Sequence, residues 1–191
     1  PSVSYCRYAD DFVIVVKGTK AQADAIREEC RDVLENELKL TLNMEKTCLT
    51  HVNDGFVFLG HRVIRKRSRK GGMGIFSMIP WGKARNFRAS LAALLSGNYS
   101  ESKVDMVRKL NAKLLGWSTF YQYVDNRALV FSRIDVSVFW KLAHWLARKY
   151  RQRIKALLMR WFVSSGPGVA KTWVLHDTIK GQHRRAVLER L

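Results

Sequence analysis

The sequence predicts an α+β fold in two parts: an antiparallel sheet with one helix over residues 1–80, then an all-helical region over 81–191. Three observations point there. Short β-branched runs dominate the beginning, led by Phe12-Val13-Ile14-Val15-Val16. Beyond Pro80, apolar residues recur every three or four positions. The charge also changes sign along the chain. Residues 1–60 hold seven Lys and Arg against ten Asp and Glu (net −3), whereas residues 61–191 hold 27 against six (net +21).

Ser2–Arg7 and Phe12–Val16 flank Tyr8-Ala9-Asp10-Asp11, which predicts a hairpin with two carboxylates at its tip. A helix follows, opened by the capping-box spacing of Thr19 and Gln22. Its face is Ala23, Ile26, Cys30, Val33, Leu34 and Leu38. Leu38, Leu40 and Leu42 then alternate as in a strand, and Thr47–Val52 is another candidate strand. After the turn signal Asn53-Asp54-Gly55 comes a further strand, Phe56–Ile64. Arg62–Lys70 carries six basic residues and runs into Gly71-Gly72 and Gly74, a basic hairpin or flexible connector. A helix is expected over Gly82–Leu95. A second helix shows Val107, Leu110, Leu114, Trp117, Tyr121 and Val124 on one face, which reads as core. A third starts near Ser132, whose spacing to Asp135 is a cap signal, and runs toward Phe162. Ser164–Gly168 is a loop, with a helix or strand pair after it.

Composition narrows the function. No apolar run approaches the ~18 residues of a membrane span, and no signal peptide opens the chain. Cys6, Cys30 and Cys48 are odd in number and lack CxxC spacing, against a disulfide framework or zinc site. A reducing compartment fits. The five histidines show no metal-ligand spacing. A charge of +21 in the later part exceeds what solubility needs and makes a polyanion the simplest partner. The chain opens at Pro1, inside a strand approach, and reads as a piece of something longer.

Two constellations carry chemistry. Asp10 and Asp11 offer the hard oxygen ligands that suit Mg²⁺, and two-metal nucleotidyl transfer needs such carboxylates together with a further one from another strand. The plain alternative is a solvated turn. The second constellation is the basic region with interleaved aromatics. Arg148, Lys149, Arg151, Arg153, Lys155 and Arg160 crowd one stretch, and Arg65, Lys66, Arg67, Arg69 and Lys70 another. All six tryptophans follow residue 80. Lys and Arg contact phosphates, and exposed aromatics stack on unpaired bases.

Tyr8-Ala9-Asp10-Asp11-Phe12 resembles the YADDF signature of reverse transcriptases of the group II intron and bacterial type. Leu42-Asn43-Met44-Glu45-Lys46-Thr47 is similar to the family's LN-x-EKT segment, and Phe58-Leu59-Gly60-His61 to its FLG segment. Leu110-Asn111, Gly116-Trp117 and Tyr121 resemble the start of the maturase domain, domain X. The resemblance covers roughly residues 2–162. It implies the end of a polymerase palm over 1–80 and a thumb/maturase RNA-binding region over 81–191. Asp10 would be a Mg²⁺ ligand and Asp11 would assist it. Tyr8 would lie near the incoming nucleotide or primer end, Lys46 would approach the triphosphate, and Phe58, Leu59 and Gly60 would form a primer-gripping turn. The family's other metal-binding aspartate and its fingers lie upstream of this motif, so this stretch alone is not expected to polymerise DNA.

The expected function is therefore part of an RNA-directed DNA polymerase of a group II intron, with intron RNA binding and splicing activity. The rivals are an RNA-binding splicing cofactor with a vestigial polymerase site and a related bacterial reverse transcriptase of a defence, diversity-generating or CRISPR-associated system. Expected partners are structured RNA, a DNA primer and dNTPs, with no membrane and a homodimer left open. The expected place is the bacterial cytoplasm or nucleoid, or an organelle in a eukaryote.

Overall fold

The computed structural model describes residues 1–191 except Met44, Lys70 and Asn98. Two compact units emerge, Pro1–Phe76 and Ser77–Leu191.

In the first unit, β1 (Ser2–Tyr8) and β2 (Asp11–Lys17) form an antiparallel hairpin in register from Ser2↔Lys17 to Tyr8↔Asp11. Thr19 caps α1 (Lys20–Asp32) as its spacing predicts. Its hydroxyl accepts from the Gln22 amide at 3.3 Å, and Gln22 Oε1 accepts from the Thr19 amide at 2.9 Å. A π-helical turn, Val33–Glu37, follows.

The two strands expected next do not form. Lys39 adopts a left-handed φ of 54°, which breaks an extended run. Further on, the Asn43 carbonyl accepts from the Lys46 and Thr47 amides, and its side chain accepts from Lys46 as well. Such local bonds compete with a ladder. The expected strand Phe56–Ile64 is also two strands. β3 (Phe56–Phe58) and β4 (His61–Arg67) pair antiparallel about Leu59-Gly60, and β5 (Met73–Met78) extends the sheet in the order β3-β4-β5.

The second unit contains α2 (Trp81–Leu95), α3 (Lys103–Phe120), α4 (Arg127–Tyr150) and α5 (Ile154–Trp161). Val107, Leu110, Leu114, Tyr121 and Val124 are buried as the stripe predicts, and Trp117 stacks on Phe87 at 4.5 Å. Helix α4 begins five residues before Ser132. Val130, Phe131, Ile134 and Val138 continue one buried face across that serine, so the Ser-x-x-Asp spacing falls inside a helix. The helix stops at Arg151, which is left-handed (φ 51°), and α5 is separate from it.

The region is also not all-helical. β6 (Phe162–Val163), β7 (Thr172–Ile179) and β8 (Gln182–Val187) form an antiparallel sheet packed against α3. Thr172-Trp173-Val174-Leu175 is buried at every position, so it lacks the alternation that announces a strand. The α+β class holds, with this sheet added to it.

The units differ in how they are held. Among the described residues every fully buried hydrophobic lies at or beyond Ile79, around Leu91, Leu110, Ile134, Leu142, Trp145 and Trp173. In the first unit no described residue is fully buried, and β1 is exposed along its whole length.

Candidate functional site

The aspartates sit where the motif places them in the chain. Tyr8 and Asp11 close the β1–β2 register, which leaves Ala9 and Asp10 as a two-residue turn. Ala9 takes a left-handed φ of 52°, as primed hairpin turns require, and the Arg7 Nε donates to its carbonyl at 2.6 Å. Tyr8, Asp10 and Asp11 are exposed. In kind, their oxygens fit Mg²⁺. In number they do not, because no group of three His, Cys, Asp or Glu side chains converges among the described residues.

Lys46 is exposed on the turn organised by Asn43. No hydrogen bond or ion pair among the described residues ties it to either aspartate. Leu59 and Gly60 form the β3–β4 turn with φ of 46° and 78°. Leucine is a costly residue there, since a Cβ disfavours that conformation. Its side chain remains 39% exposed. The His61 ring nitrogen Nδ1 lies 3.0 Å from the Leu59 carbonyl. Tyr8, Asp10 and Asp11 thus occupy one sheet and Phe58, Leu59 and Gly60 another.

The basic residues divide by how far the fold engages them. At the end of β4 Arg65 and Arg67 are exposed, as is Arg69 on the connection to β5, while Lys66 lies 4.8 Å over the Phe76 ring. Arg67 Nε donates to the Gly71 carbonyl at 3.0 Å. Lys70 lies outside the described residues. At the end of α4, Lys149 is half-buried and donates to the Tyr99 carbonyl at 2.6 Å. Arg148 is exposed and donates to the Tyr99 hydroxyl at 3.2 Å. Arg151, Arg153 and Lys155 are exposed, and Arg160 lies 5.1 Å over Trp161. Lys103 joins this group over the Tyr150 and Trp161 rings, and burial draws its pKa below the ordinary value.

Sequence reasoning missed one cluster. Arg184 on β8 donates to both oxygens of Asp105 at 2.9 Å and to Asp177 at 3.0 and 3.1 Å. It also donates to Ser102, the residue that caps α3. Ser102 in turn donates to Asp177. Burial pushes the Asp177 carboxyl up, but the bonds from Arg184 and Ser102 outweigh it and hold the group below its ordinary range. No local spacing announces this cluster, because 79 residues separate Arg184 from Asp105.

Two family models cover most of the chain. Residues 1–63 match the reverse transcriptase (RNA-dependent DNA polymerase) model, and residues 84–162 match the maturase-specific domain of group II introns. The chain belongs to the group II intron reverse transcriptase/maturase family. Protein YkfC of Escherichia coli (strain K12) is 73% identical over 95 residues, 50% of this chain and 25% of that protein. The group II intron-encoded protein LtrA of Lactococcus lactis subsp. cremoris is 42% identical over 66 residues, 35% of this chain and 11% of LtrA. Nuclear intron maturase 2, mitochondrial, of Arabidopsis thaliana is 22% identical over 185 residues, 83% of this chain and 25% of that protein. The chain thus spans a quarter or less of the length of these relatives. No helix among the described residues is long and apolar enough to cross a membrane.

Proposed function

We propose that this chain is the end of the palm and the thumb/maturase region of an RNA-directed DNA polymerase that also binds and helps splice its intron RNA. The observation that carries this reading is the Ala9-Asp10 turn, which exposes two adjacent carboxylates at a hairpin tip inside the part that matches the polymerase model. In the full-length protein Asp10, assisted by Asp11, contributes oxygen ligands to Mg²⁺. Tyr8 lies near the nucleotide or primer end, Lys46 faces the triphosphate, and the Phe58-Leu59-Gly60 turn holds the primer. The basic residues of 65–70 and 148–160 grip RNA. The boundary between these jobs falls near residues 76–80.

The test is primer extension on an RNA template. The full-length protein should extend the primer, the Asp10→Ala variant should not, and residues 1–191 alone should be inactive. Extension that survives Asp10→Ala would reduce the motif to a turn. A second reading is a splicing cofactor with a vestigial polymerase site, which the match of residues 84–162 to the maturase-specific domain supports equally well. That cofactor would promote splicing while the unaltered full-length protein makes no cDNA. A related bacterial reverse transcriptase of a defence, diversity-generating or CRISPR-associated system would make cDNA without promoting splicing.

A further inference from the structure

Residues 163–191 lie beyond both matched regions, yet they build a hairpin anchored in the core of the second unit that carries basic residues. In the β7–β8 hairpin, His176 pairs with Arg185 and Thr178 with His183, so these four side chains share one face. All four are exposed. The turn between the strands is Lys180-Gly181, with φ of 50° and 80°, which puts a lysine at the tip. With Asp177 and Arg184, the four line a shallow cup of about 170 Å³. Of these, Asp177 and Arg184 alternate to the other face, where they are committed to each other, to Ser102 and to Asp105, so the outer face presents one arginine and two histidines. The hydroxyl of Thr178 lies 3.0 Å from His183 Nδ1 and so fixes the ring's orientation. Arg185 is steadied by its bond to the Ser165 carbonyl at 3.2 Å.

From below, the hairpin is bolted down. Thr172, Trp173 and Leu175 are buried in the core, and Arg184 ties β8 to the start of α3. Such a ribbon presents donors without the ordering cost of flexible lysines, and backbone contacts from rigid elements set register on a nucleic acid.

We propose that the outer face of the β7–β8 hairpin, through His176, His183 and Arg185 with Lys180 at its tip, is a second nucleic-acid contact that seats a phosphodiester of the bound RNA. The proposal rests on reading the second unit as RNA-binding. It adds a site separate from the basic stretch that ends α4.

The experiment compares three forms of the full chain: unaltered, His176→Ala/His183→Ala/Arg185→Ala, and Arg148→Ala/Arg151→Ala/Arg153→Ala. Binding to a structured intron RNA and to a duplex DNA of equal length is measured across a salt series. Unaltered protein should show a steep linear fall of log affinity with log salt. The hairpin triple variant should lower RNA affinity about tenfold and flatten the slope by about one unit, the share of the single formal charge it removes. Its thermal melt should match that of the unaltered chain, because the three residues lie outside the core. If the hairpin variant binds RNA and DNA with unchanged affinity and slope while the α4 variant weakens, the hairpin site is wrong and the RNA-binding reading stands. If the unaltered chain shows no salt-dependent binding, both fall. A loss confined to DNA would overturn the proposal, since the contact would then not serve the RNA. Should the triple variant misfold, Arg185→Gln alone, which can keep its bond to Ser165, should still flatten the slope, and an unchanged slope would overturn the proposal.

Discussion

Arg184 satisfies two carboxylates and a capping hydroxyl at once, so its removal leaves three acceptors short of a donor. Arg184→Ala should lower the melting temperature, and the amides of β7 and β8 should lose hydrogen-exchange protection before those of α4. Uniform loss across the second unit would show that the cluster is no local clasp. The same cluster sets a pH dependence. Because the folded Asp177 pKa is depressed, its contribution to stability is full above the ordinary carboxylate range near ~3.9 and is lost as pH falls through the lower folded value. Asp177→Asn should therefore flatten the acid limb of a stability–pH curve, and an unaltered limb would count against that assignment. Leu59 supplies a contrasting case. Leu59→Gly relieves a positive φ, so the melt should hold or rise, while primer extension by the full-length protein should fall if the side chain holds the primer. Unchanged extension would leave Leu59 without that role.

At the level of elements, burial separates what stabilises the chain from what is merely present. Leu142 is fully buried on α4, and Leu142→Ala should cost about 2–5 kcal/mol. Val15 on β2 is 54% exposed, and Val15→Ala should stay within about 0.5 kcal/mol. Equal effects in denaturant titrations would contradict the difference in cores. The same contrast explains what was legible in the sequence. The Thr19–Gln22 cap and the Val107-to-Val124 stripe are local signals, and both read correctly. The Asp10-Asp11 tip was legible because a hairpin turn is fixed by its two flanking strands. What failed was decided by partners elsewhere or by single backbone angles. Lys39 and the Asn43 turn dissolved two strands, Leu59-Gly60 split a third, and the four-residue buried run of β7 hid a strand. The Arg184 cluster, joined across 79 residues, had no local trace at all.

Across the whole molecule the charge changes sign inside the first unit: residues 1–60 carry −3, but the unit 1–76 holds 13 Lys and Arg against ten Asp and Glu (+3), and residues 77–191 hold 21 against six (+15). Asp10→Ala with Asp11→Ala should thus leave RNA affinity unchanged or slightly tighter, since it removes negative charge, and a loss of binding would break the proposed division of labour. Limited proteolysis should cut first within Arg65–Gly74, where exposed basic residues meet glycines. A first cut inside Leu110–Tyr121 would contradict helix α3. The tryptophans have a further consequence, for how this protein can be watched. All six lie in the second unit, with Trp145 and Trp173 deep in its core and Trp140 half in solvent. Tryptophan emission therefore reports that unit, and the first unit, whose tyrosines are Tyr5 and Tyr8, has no tryptophan to report it. A denaturation followed by tryptophan emission will trace the core of the second unit and stay blind to the hairpins of the first, whereas far-ultraviolet circular dichroism sums over both units. Where the two curves part, the gap measures the unit that carries Asp10 and Asp11.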